Sequence, residues 1–317
     1  MGRLIAGRMV RLVATLLLVT FVTFMATSLL PGDPVNALIP IEAQQDREFV
    51  EQVREEWGFN DPILVRYGRW LGDAVRGDLG DSYVTGRPII DEITPRLPVT
   101  GELMVVTVLL GILIGVPLGL LSGYREGSRA DQAVSAFAQF GLSIPNFVLG
   151  IVLIYVFAIK LRWLPATGWT RISDSVTGNL KSVAMPAIAL AVAEVAVYLR
   201  VLRSDIISTL KENYILSARA KGLKDRFILF RHALRPSSLT LTTLIGLNIA
   251  GLITGTIVIE QLFAIPGLGR RLFSAVFQRD YMMVQGLTVL LAAAYVIINA
   301  TVDFIDIAID PRIRRRA

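Results

Sequence analysis

The sequence predicts an all-α membrane protein in which six helices cross the bilayer. Only 18% of its 317 residues are charged and 53% are hydrophobic, whereas a soluble domain of this size carries about 25% charged residues. Several apolar runs approach or exceed the roughly 18 residues that a helix needs to cross the hydrocarbon core. Lys and Arg are concentrated in some of the connecting segments, which is typical of a multi-pass protein.

The net charge of +6 and the sequence pI of about 9.8 have two interpretations. In a soluble protein such a surplus would indicate a nucleic-acid partner. In a chain of apolar helices it indicates basic loops held at the cytoplasmic face, so we expect the lipid bilayer as a partner and no nucleic acid. The chain contains no cysteine, which excludes disulfides and thiolate metal or redox sites.

The first predicted span is Leu12–Leu30, which follows the short basic segment Met1–Arg11. A basic start before an apolar run also fits a secretory signal. This run is longer than the apolar core of a signal, and no small-x-small cleavage site follows it. We therefore expect residues 1–30 to form a cytoplasmic N-terminus and an uncleaved first helix.

Residues 31–100 form the longest polar region and carry thirteen acidic residues against seven arginines. Glu48–Trp57 and Pro62–Val75 have the spacing of short amphipathic helices. Gly77–Arg87 is rich in turn-forming residues. The sequence predicts a small subdomain outside the membrane here, between the first and second spans.

The second predicted span, Gly101–Tyr124, carries a stripe of small residues. Glycines recur every four residues along it, at Gly111, Gly115, Gly119 and Gly123. Such a stripe lets another helix approach closely, and plain helix packing accounts for it fully.

The remaining apolar runs predict four more spans. They cover Gln132–Ile159, Val183–Leu202, Ser237–Ile259 and Met283–Ile305. The first of these is interrupted by Ser143-Ile144-Pro145-Asn146, where proline favours a break in the helix. Spans two to six thus occupy residues 101–305, and residues 306–317 form a basic tail.

The distribution of basic residues predicts the orientation. Six spans place both termini on one side, and that side holds 18 of the 32 Lys and Arg residues. Seven of the others lie in the long first loop, which the positive-inside rule largely exempts. We expect cytoplasmic termini, an extracytoplasmic region 31–100 and a cytoplasmic loop 203–236.

The cytoplasmic loop contains a basic amphipathic segment, Tyr214–Pro236, which cannot span a bilayer. Gly222 divides it, so we predict a helix, a glycine turn and a second short helix. After the glycine, four apolar residues have the spacing of one helical face: Leu223, Phe227, Phe230 and Leu234. Such a face suits either a groove on a partner protein or an anionic lipid surface.

This segment resembles the EAA loop of ABC importer permeases, in the form that the peptide/nickel family uses. The general pattern is Glu-Ala-Ala, three residues, Gly, nine residues and Ile-x-Leu-Pro. Placed on Gly222, only Ala218, the glycine and Leu234 match it. Residues 216–217 and 232 and 235 depart from it, in the manner of the peptide-family variant.

Other stretches extend the resemblance over nearly the whole chain. Leu29-Leu30-Pro31-Gly32-Asp33-Pro34 is similar to the opening of the B-type permease subunit in that family. The loop 260–281, with IPGLGR and QRDY, resembles its loop between spans five and six. Asp303 and Asp310-Pro311-Arg312-Ile313-Arg314 resemble its C-terminal signature.

The resemblance implies a type I ABC importer permease fold and a transport subunit, not an enzyme, in the bacterial cytoplasmic membrane. It implies a heterodimer with a C-type permease, two ATP-binding subunits and an extracytoplasmic substrate-binding protein. ATP and Mg²⁺ would bind to the partner subunits and no cofactor to this chain, which contains no G-x-x-x-x-G-K-[ST] phosphate loop. The implied cargo is a dipeptide or oligopeptide.

Two sets of candidate functional residues follow. The resemblance assigns ATPase coupling to one face of the cytoplasmic segment: Ala218, Ala220, Gly222, Leu223, Phe227, Phe230, Arg231, His232 and Leu234. Polar residues at membrane depth usually face a cavity or another helix, which gives candidates for the translocation path: Gln139, Ser143, Asn146, Glu194, Tyr198, Asn248, Thr254 and Asn299.

Glu194 is the most informative path candidate, because a carboxylate in mid-span costs roughly 3 kcal/mol. It could meet the amino terminus of a peptide, or it could form an interhelical hydrogen bond or pair with Arg200. His232, the only histidine, is expected to pack or hydrogen-bond rather than bind metal. Asp303 and Asp306 are expected to pair with arginines.

Two alternatives remain at this stage. The same class of importer could carry nickel or another small solute. The chain could also be an ATP-independent channel or secondary transporter, although no inverted repeat or charged relay through the spans is visible.

Overall fold

The computed structural model describes residues 2–28, 45–56 and 58–309, together with Val35, Ile39 and Ala43. The chain folds into helices throughout these ranges, and a lone β-bridge pairs Asp81 with Pro88. Of the stretches that carry the family resemblance, residues 29–34 and 310–314 lie outside the described residues.

Thirteen helices account for the described fold. The first three are α1 Gly2–Ser28, α2 Arg47–Glu56 and α3 Ile63–Val75. The next five are α4 Ile89–Ile93, α5 Leu97–Tyr124, α6 Arg129–Ser143, α7 Asn146–Leu153 with a π-helical continuation Ile154–Lys160, and α8 Val176–Leu210. The last five are α9 Asn213–Ala220, α10 Asp225–Phe227 with a π-helical continuation Ile228–Ala233, α11 Leu234–Leu262, α12 Leu268–Phe277 and α13 Tyr281–Ile309.

Five stretches are long and apolar enough to cross a membrane, and six if a bent pair counts as one span. The five are Met9–Ser28, Ile89–Tyr124, Val176–Leu210, Thr240–Leu262 and Tyr281–Val302. The bent pair is α6 with α7 and its continuation, whose two halves meet at 100°.

The break between α6 and α7 falls where the sequence predicts it. Ile144 is extended, with φ −96° and ψ 122°, because the ring of the following Pro145 disfavours helical geometry at the preceding residue. Pro145 then precedes the first residue of α7, a position that proline tolerates because it needs no N–H donor there.

The chain divides into two compact units. Unit 1 contains Met1–Thr100 and Pro266–Ile297, and unit 2 contains Gly101–Ile265 and Ile298–Ala317. In unit 1, α4, α12 and the start of α13 share an apolar core. Its buried members are Ile89, Ile93, Leu268, Ala275, Met283 and Leu287.

Unit 1 also contains a buried ion network around Arg271. The Arg271 guanidinium donates to Glu92 at 2.6 Å and to Asp280 at 3.2 Å. Asp280 is fully buried and also accepts from the Ser82 hydroxyl at 2.5 Å. The network joins the turn-rich segment after α3 to α12 and to the start of α13, so these parts of the unit form one packed body.

In unit 2 the glycine stripe of α5 packs against α8. A Cβ on Gly119 would lie 3.0 Å from the Leu199 carbonyl oxygen, and one on Gly115 would lie 3.1 Å from the Val195 carbonyl oxygen. The two helix backbones are therefore close enough to exclude a methyl group. The predicted close approach is confirmed, and the partner is α8.

Candidate functional site

The segment that follows α8 folds as a helix, a turn and a second helix, as the sequence predicts. α9 ends at Ala220, and Gly222 adopts φ +78°, a left-handed conformation that favours glycine. Arg219 and Asp225 lie 3.5 Å apart across the turn. The second helix then continues into α11 without a break. We call residues 213–233 the coupling segment, after the role that the resemblance predicts for them.

One side of the coupling segment is anchored in unit 2. Ile215, Ala218 and Ile228 are buried together against Leu210, the last residue of α8. The anchor joins both arms of the segment to the end of one membrane helix. Both arms are therefore packed against the end of α8.

The other side exposes large apolar side chains. Leu223, Phe227 and Phe230 are 37%, 50% and 52% exposed, so these three of the four predicted face residues lie on the surface. Tyr214 and Leu216 add to it. An exposed apolar patch of this kind marks a surface that another molecule covers.

Leu234 does not belong to that surface, which corrects the sequence prediction. It begins α11 and packs against the buried cluster that contains Leu202 and Ile206 of α8. The reason is the π-helical turn Ile228–Ala233, whose wider hydrogen-bonding pattern rotates the following residues away from an α-helical register.

The remaining candidates of the coupling segment lie near the turn and the second arm. Ala220 and Arg231 are exposed, and His232 is half-buried. The His232 ring contacts the Phe227 ring edge-on, with centroids 5.6 Å apart, and the His232 carbonyl accepts a hydrogen bond from the Tyr214 hydroxyl at 3.2 Å. Desolvation, and next the Glu212 carboxylate, raise the pKa of Tyr214, so this phenol remains a donor at neutral pH.

A carboxylate–guanidinium pair holds three helices together beside the coupling segment. Asp131 of α6 accepts from Arg203 of α8 through both oxygens, at 2.6 and 2.8 Å. Asp131 also accepts from the Ser122 hydroxyl of α5 and from the Gly127 amide at 2.9 Å. We call this arrangement the Asp131 clamp.

The sequence reasoning did not find the Asp131 clamp. Its two charged members are 72 residues apart, and nothing in the spacing joins them. One local signal was available, since Ser128 caps α6 by accepting from the Asp131 amide at 3.2 Å. A Ser followed three residues later by an acidic residue is a helix-start pattern, and it places a carboxylate at that end of α6.

A second polar cluster lies in the middle of α8. The Asn248 amide of α11 donates to the Glu194 carboxylate at 2.9 Å. Tyr198, one turn further along α8, is fully buried and packs on Gly111 of α5. Three predicted path residues therefore lie together, and the interhelical hydrogen bond expected for Glu194 is present, whereas Arg200 is exposed.

The other path candidates lie elsewhere. Gln139, Ser143 and Thr254 are exposed, Asn146 is half-buried, and the Ser143 hydroxyl donates to the Gln139 carbonyl of its own helix. Asn299 is half-buried. The side chains of Asp303 and Asp306 lie outside the described residues.

Two family models match this chain and together cover most of it. Residues 115–315 match the model described as binding-protein-dependent transport system inner membrane component. Residues 1–104 match the model for the N-terminal part of such membrane components.

Three similar proteins align over nearly their whole length. A probable peptide ABC transporter permease of Sinorhizobium fredii is 37% identical, with 99% of this chain and 100% of the relative covered. The oligopeptide transport system permease AppB of Bacillus subtilis is 38% identical, with 99% of each covered. The glutathione transport system permease GsiC of Escherichia coli is 34% identical, with 97% of each covered.

A solved structure supports the fold. The MetNI methionine ABC transporter, in an inward-facing conformation, contains a chain that superposes with a TM-score of 0.56 at 18% identity. The match covers 68% of this chain and 95% of that one. The chain is a multi-pass inner membrane protein and belongs to the family of binding-protein-dependent transport system inner membrane components.

Proposed function

We propose that this chain is a permease subunit of an ATP-driven importer of dipeptides or oligopeptides. Family membership supports the importer, and the names of the relatives from Sinorhizobium fredii, Bacillus subtilis and Escherichia coli, which refer to peptide, oligopeptide and glutathione transport, support the cargo. The chain forms one half of the path, beside a C-type permease. Two ATP-binding subunits, which bind ATP and Mg²⁺, and an extracytoplasmic binding protein complete the assembly.

The orientation proposed from the basic residues fits this role. Both termini and the coupling segment lie in the cytoplasm, on the side where ATP is available. Residues 31–100 lie outside, where a binding protein delivers its cargo. The acidic surface of that region suits it to docking or to lining the outer entrance.

The observation that carries the proposal is the two-sided coupling segment. Its inner side is buried against the end of α8, and its outer side exposes Leu223, Phe227 and Phe230. Burying one phenylalanine contributes roughly 1.5–3 kcal/mol, so these exposed side chains add to the affinity for a groove of an ATP-binding subunit. A movement of that subunit then reaches α8 through the buried anchor.

Substitution of Phe227 by Asp tests the docking surface. We expect the variant to insert and accumulate normally, because Phe227 is half exposed. We expect recovery of the ATP-binding subunits with a tagged permease to fall at least about tenfold, because the contact loses a buried ring and acquires a carboxylate.

Ile172→Asp is the matched control. Ile172 is also exposed, but it precedes the opposite end of α8, so the ATP-binding subunits should be recovered in full. Undiminished recovery with Phe227→Asp would show that the exposed face rests on lipid and not on an ATP-binding subunit.

The importer itself is tested by reconstitution of the complete assembly in vesicles. Uptake of a labelled dipeptide should require both ATP and the binding protein. Uptake without ATP would overturn the proposal in favour of a channel or secondary transporter, and ATP-dependent uptake of nickel alone would overturn the cargo.

A further inference from the structure

A polar layer that is poor in hydrogen-bond donors crosses the middle of unit 2. It contains Glu194 and Tyr198 of α8, Asn248 of α11 and Asn299 of α13. Val302 of α13 packs on Gly246 of α11. Asn299 lies three residues before Val302, and Asn248 lies two residues after Gly246. Because consecutive spans run antiparallel, the two amides lie near the same depth.

The Glu194 carboxylate has little that compensates its charge. Its hydrogen bond of normal geometry comes from the neutral Asn248 amide, at 2.9 Å. In the part of the chain that the structure describes, no Lys or Arg forms an ion pair with it. A carboxylate at this depth costs roughly 2.5–3.5 kcal/mol, and its two polar neighbours, Asn248 and Tyr198, are neutral and bring no counter-charge.

Two further polar atoms of the layer are unsatisfied. The Tyr198 hydroxyl is buried next to Glu194 and Asn248, yet it makes no hydrogen bond of normal geometry within the described residues. The Asn299 carbonyl oxygen is buried and also has no donor there. Buried polar atoms without partners are rare in folded proteins, and the Tyr198 hydroxyl beside this carboxylate indicates a place that a ligand completes.

Three other carboxylates of the described chain show what Glu194 lacks. Asp131 forms an ion pair with Arg203. Asp280 and Glu92 both form ion pairs with Arg271. Each of these three is paired with a guanidinium of the same unit. Glu194 differs from them in that no Lys or Arg among the described residues forms an ion pair with it.

We propose that Glu194, assisted by Asn248 and Tyr198, binds a primary ammonium group of the cargo during its passage. This inference rests on the proposed importer function and adds the cargo chemistry that the site recognises. A primary ammonium supplies one positive charge and three N–H donors, which matches a carboxylate with neighbouring oxygens that lack donors. The amino terminus of a peptide and a lysine side chain both carry this group.

The test measures cargo preference in the complete importer in vesicles, at a saturating concentration of loaded binding protein. One probe is Ala-Ala, and the second is lactoyl-alanine, in which a hydroxyl replaces the amine. A third probe, lactoyl-lysine, carries an ammonium only on its side chain. Affinity of the binding protein for each probe is measured separately, so that the rates refer to loaded receptor.

We expect Glu194→Gln to lower the preference of the importer for Ala-Ala over lactoyl-alanine at least about tenfold, because a hydrogen bond to a charged group is lost. Glu194→Asp keeps the charge and should restore part of the preference. If the uptake of lactoyl-lysine changes in Glu194→Gln as the uptake of Ala-Ala does, the site accepts either ammonium group. If it changes as the uptake of lactoyl-alanine does, the site binds only the amino terminus.

Thr256→Val in α11, the span of Asn248, is the control, because the Thr256 hydroxyl donates to the Ile253 carbonyl of its own helix. It should leave the preference unchanged. An unchanged preference in Glu194→Gln overturns the inference. This holds if the uptake rates of Ala-Ala and lactoyl-alanine fall together, as expected for a purely interhelical hydrogen bond. It also holds if both rates stay at the wild-type level. Failure of the importer proposal looks different, since wild-type uptake of Ala-Ala would then not depend on ATP.

Discussion

Asp131 and Glu194 are two acidic residues of unit 2 with opposite surroundings. Asp131 lies near the end of α8 that leads to the coupling segment, and it accepts hydrogen bonds from Arg203, Ser122 and the Gly127 amide. Glu194 lies in the middle of the same helix and receives one hydrogen bond of normal geometry, from a neutral amide.

The difference in hydrogen-bond donors indicates which of the two sites is structural. A carboxylate that is saturated by donors and by a guanidinium has no capacity for a further ligand, so the Asp131 clamp acts as a fixed joint between α5, α6 and α8. A carboxylate with one neutral donor keeps that capacity. The number and charge of the donors thus distinguish the joint at Asp131 from the binding site that we propose at Glu194.

The largest effect is expected where the clamp is broken. Asp131→Asn leaves the Arg203 guanidinium without its counter-charge, and removal of one partner of a buried pair costs about 3–5 kcal/mol. Because the Arg203 side chain remains 30% exposed, we expect the lower end, about 3 kcal/mol. Thermal unfolding of the purified protein in detergent measures the loss.

Ser135→Ala is the control for the clamp. Its hydroxyl reaches Asp131 only at 3.4 Å, so its removal should change the free energy of unfolding by less than about 0.5 kcal/mol. A melting temperature of Asp131→Asn equal to that of Ser135→Ala would contradict the role of the clamp as a joint.

A smaller loss is expected from a methyl group placed between α5 and α8 near the clamp. A Cβ on Gly123 would lie 2.9 Å from the Ile206 Cβ and 3.1 Å from the Arg203 carbonyl oxygen. Neither atom can move without its helix, so Gly123→Ala should cost about 1–3 kcal/mol. The same unfolding measurement applies.

Gly101→Ala tests whether the cost comes from the close approach and not from the loss of a glycine. Gly101 belongs to the same helix, and a Cβ there would meet nothing within 4 Å. This variant should be neutral or slightly stabilising, because alanine favours a helix over glycine by about 1 kcal/mol. Equal losses at the two positions would rule out the packing explanation.

Among these sites, the smallest effect on stability is expected at Glu194. This prediction tests most directly whether Glu194 differs from Asp131. Glu194→Gln removes a charge that lacks an ionic partner and keeps the shape of the side chain. We expect the free energy of unfolding to stay within about 1 kcal/mol of the wild type or to rise, even though transport selectivity falls. A loss close to that of Asp131→Asn would mean that Glu194 is also a structural joint.

The apolar spans could be predicted from the sequence because hydrocarbon demands long apolar runs, but the ends of the helices could not. The sequence predicts Val183–Leu202 for the span that is α8 in the structure, Val176–Leu210. Ser175 caps its start by accepting from the Gly178 amide, and the polar residues beyond Leu202 stay helical. Hydropathy predicts the part of a helix that crosses the hydrocarbon, whereas capping and packing determine where the helix ends.

The candidate site was predictable to the extent that it depends on local spacing. The turn at Gly222 and the exposed side chains of Phe227 and Phe230 follow from a helical face after a glycine, whereas Leu223 is exposed but precedes the helix, which begins at Asp225. Leu234 was assigned to that face wrongly, since π-helical hydrogen bonding has no sequence pattern that reveals the altered register. The Asp131 clamp depends on contacts between distant residues, which spacing alone does not predict.

The stretch of α8 from Glu194 to Leu210 contains neither glycine nor proline. Sharp kinks in helices occur mostly at such residues, so this stretch behaves as a stiff rod, and Glu194 lies about 14 Å from Arg203 along it at 1.5 Å per residue. Pro186, the proline of α8, lies on the far side of Glu194 from the coupling segment. A hinge at Pro186 would therefore carry Glu194 along with the coupling segment, so that a tilt imposed at the end of α8 next to that segment repositions the carboxylate without any intermediate relay.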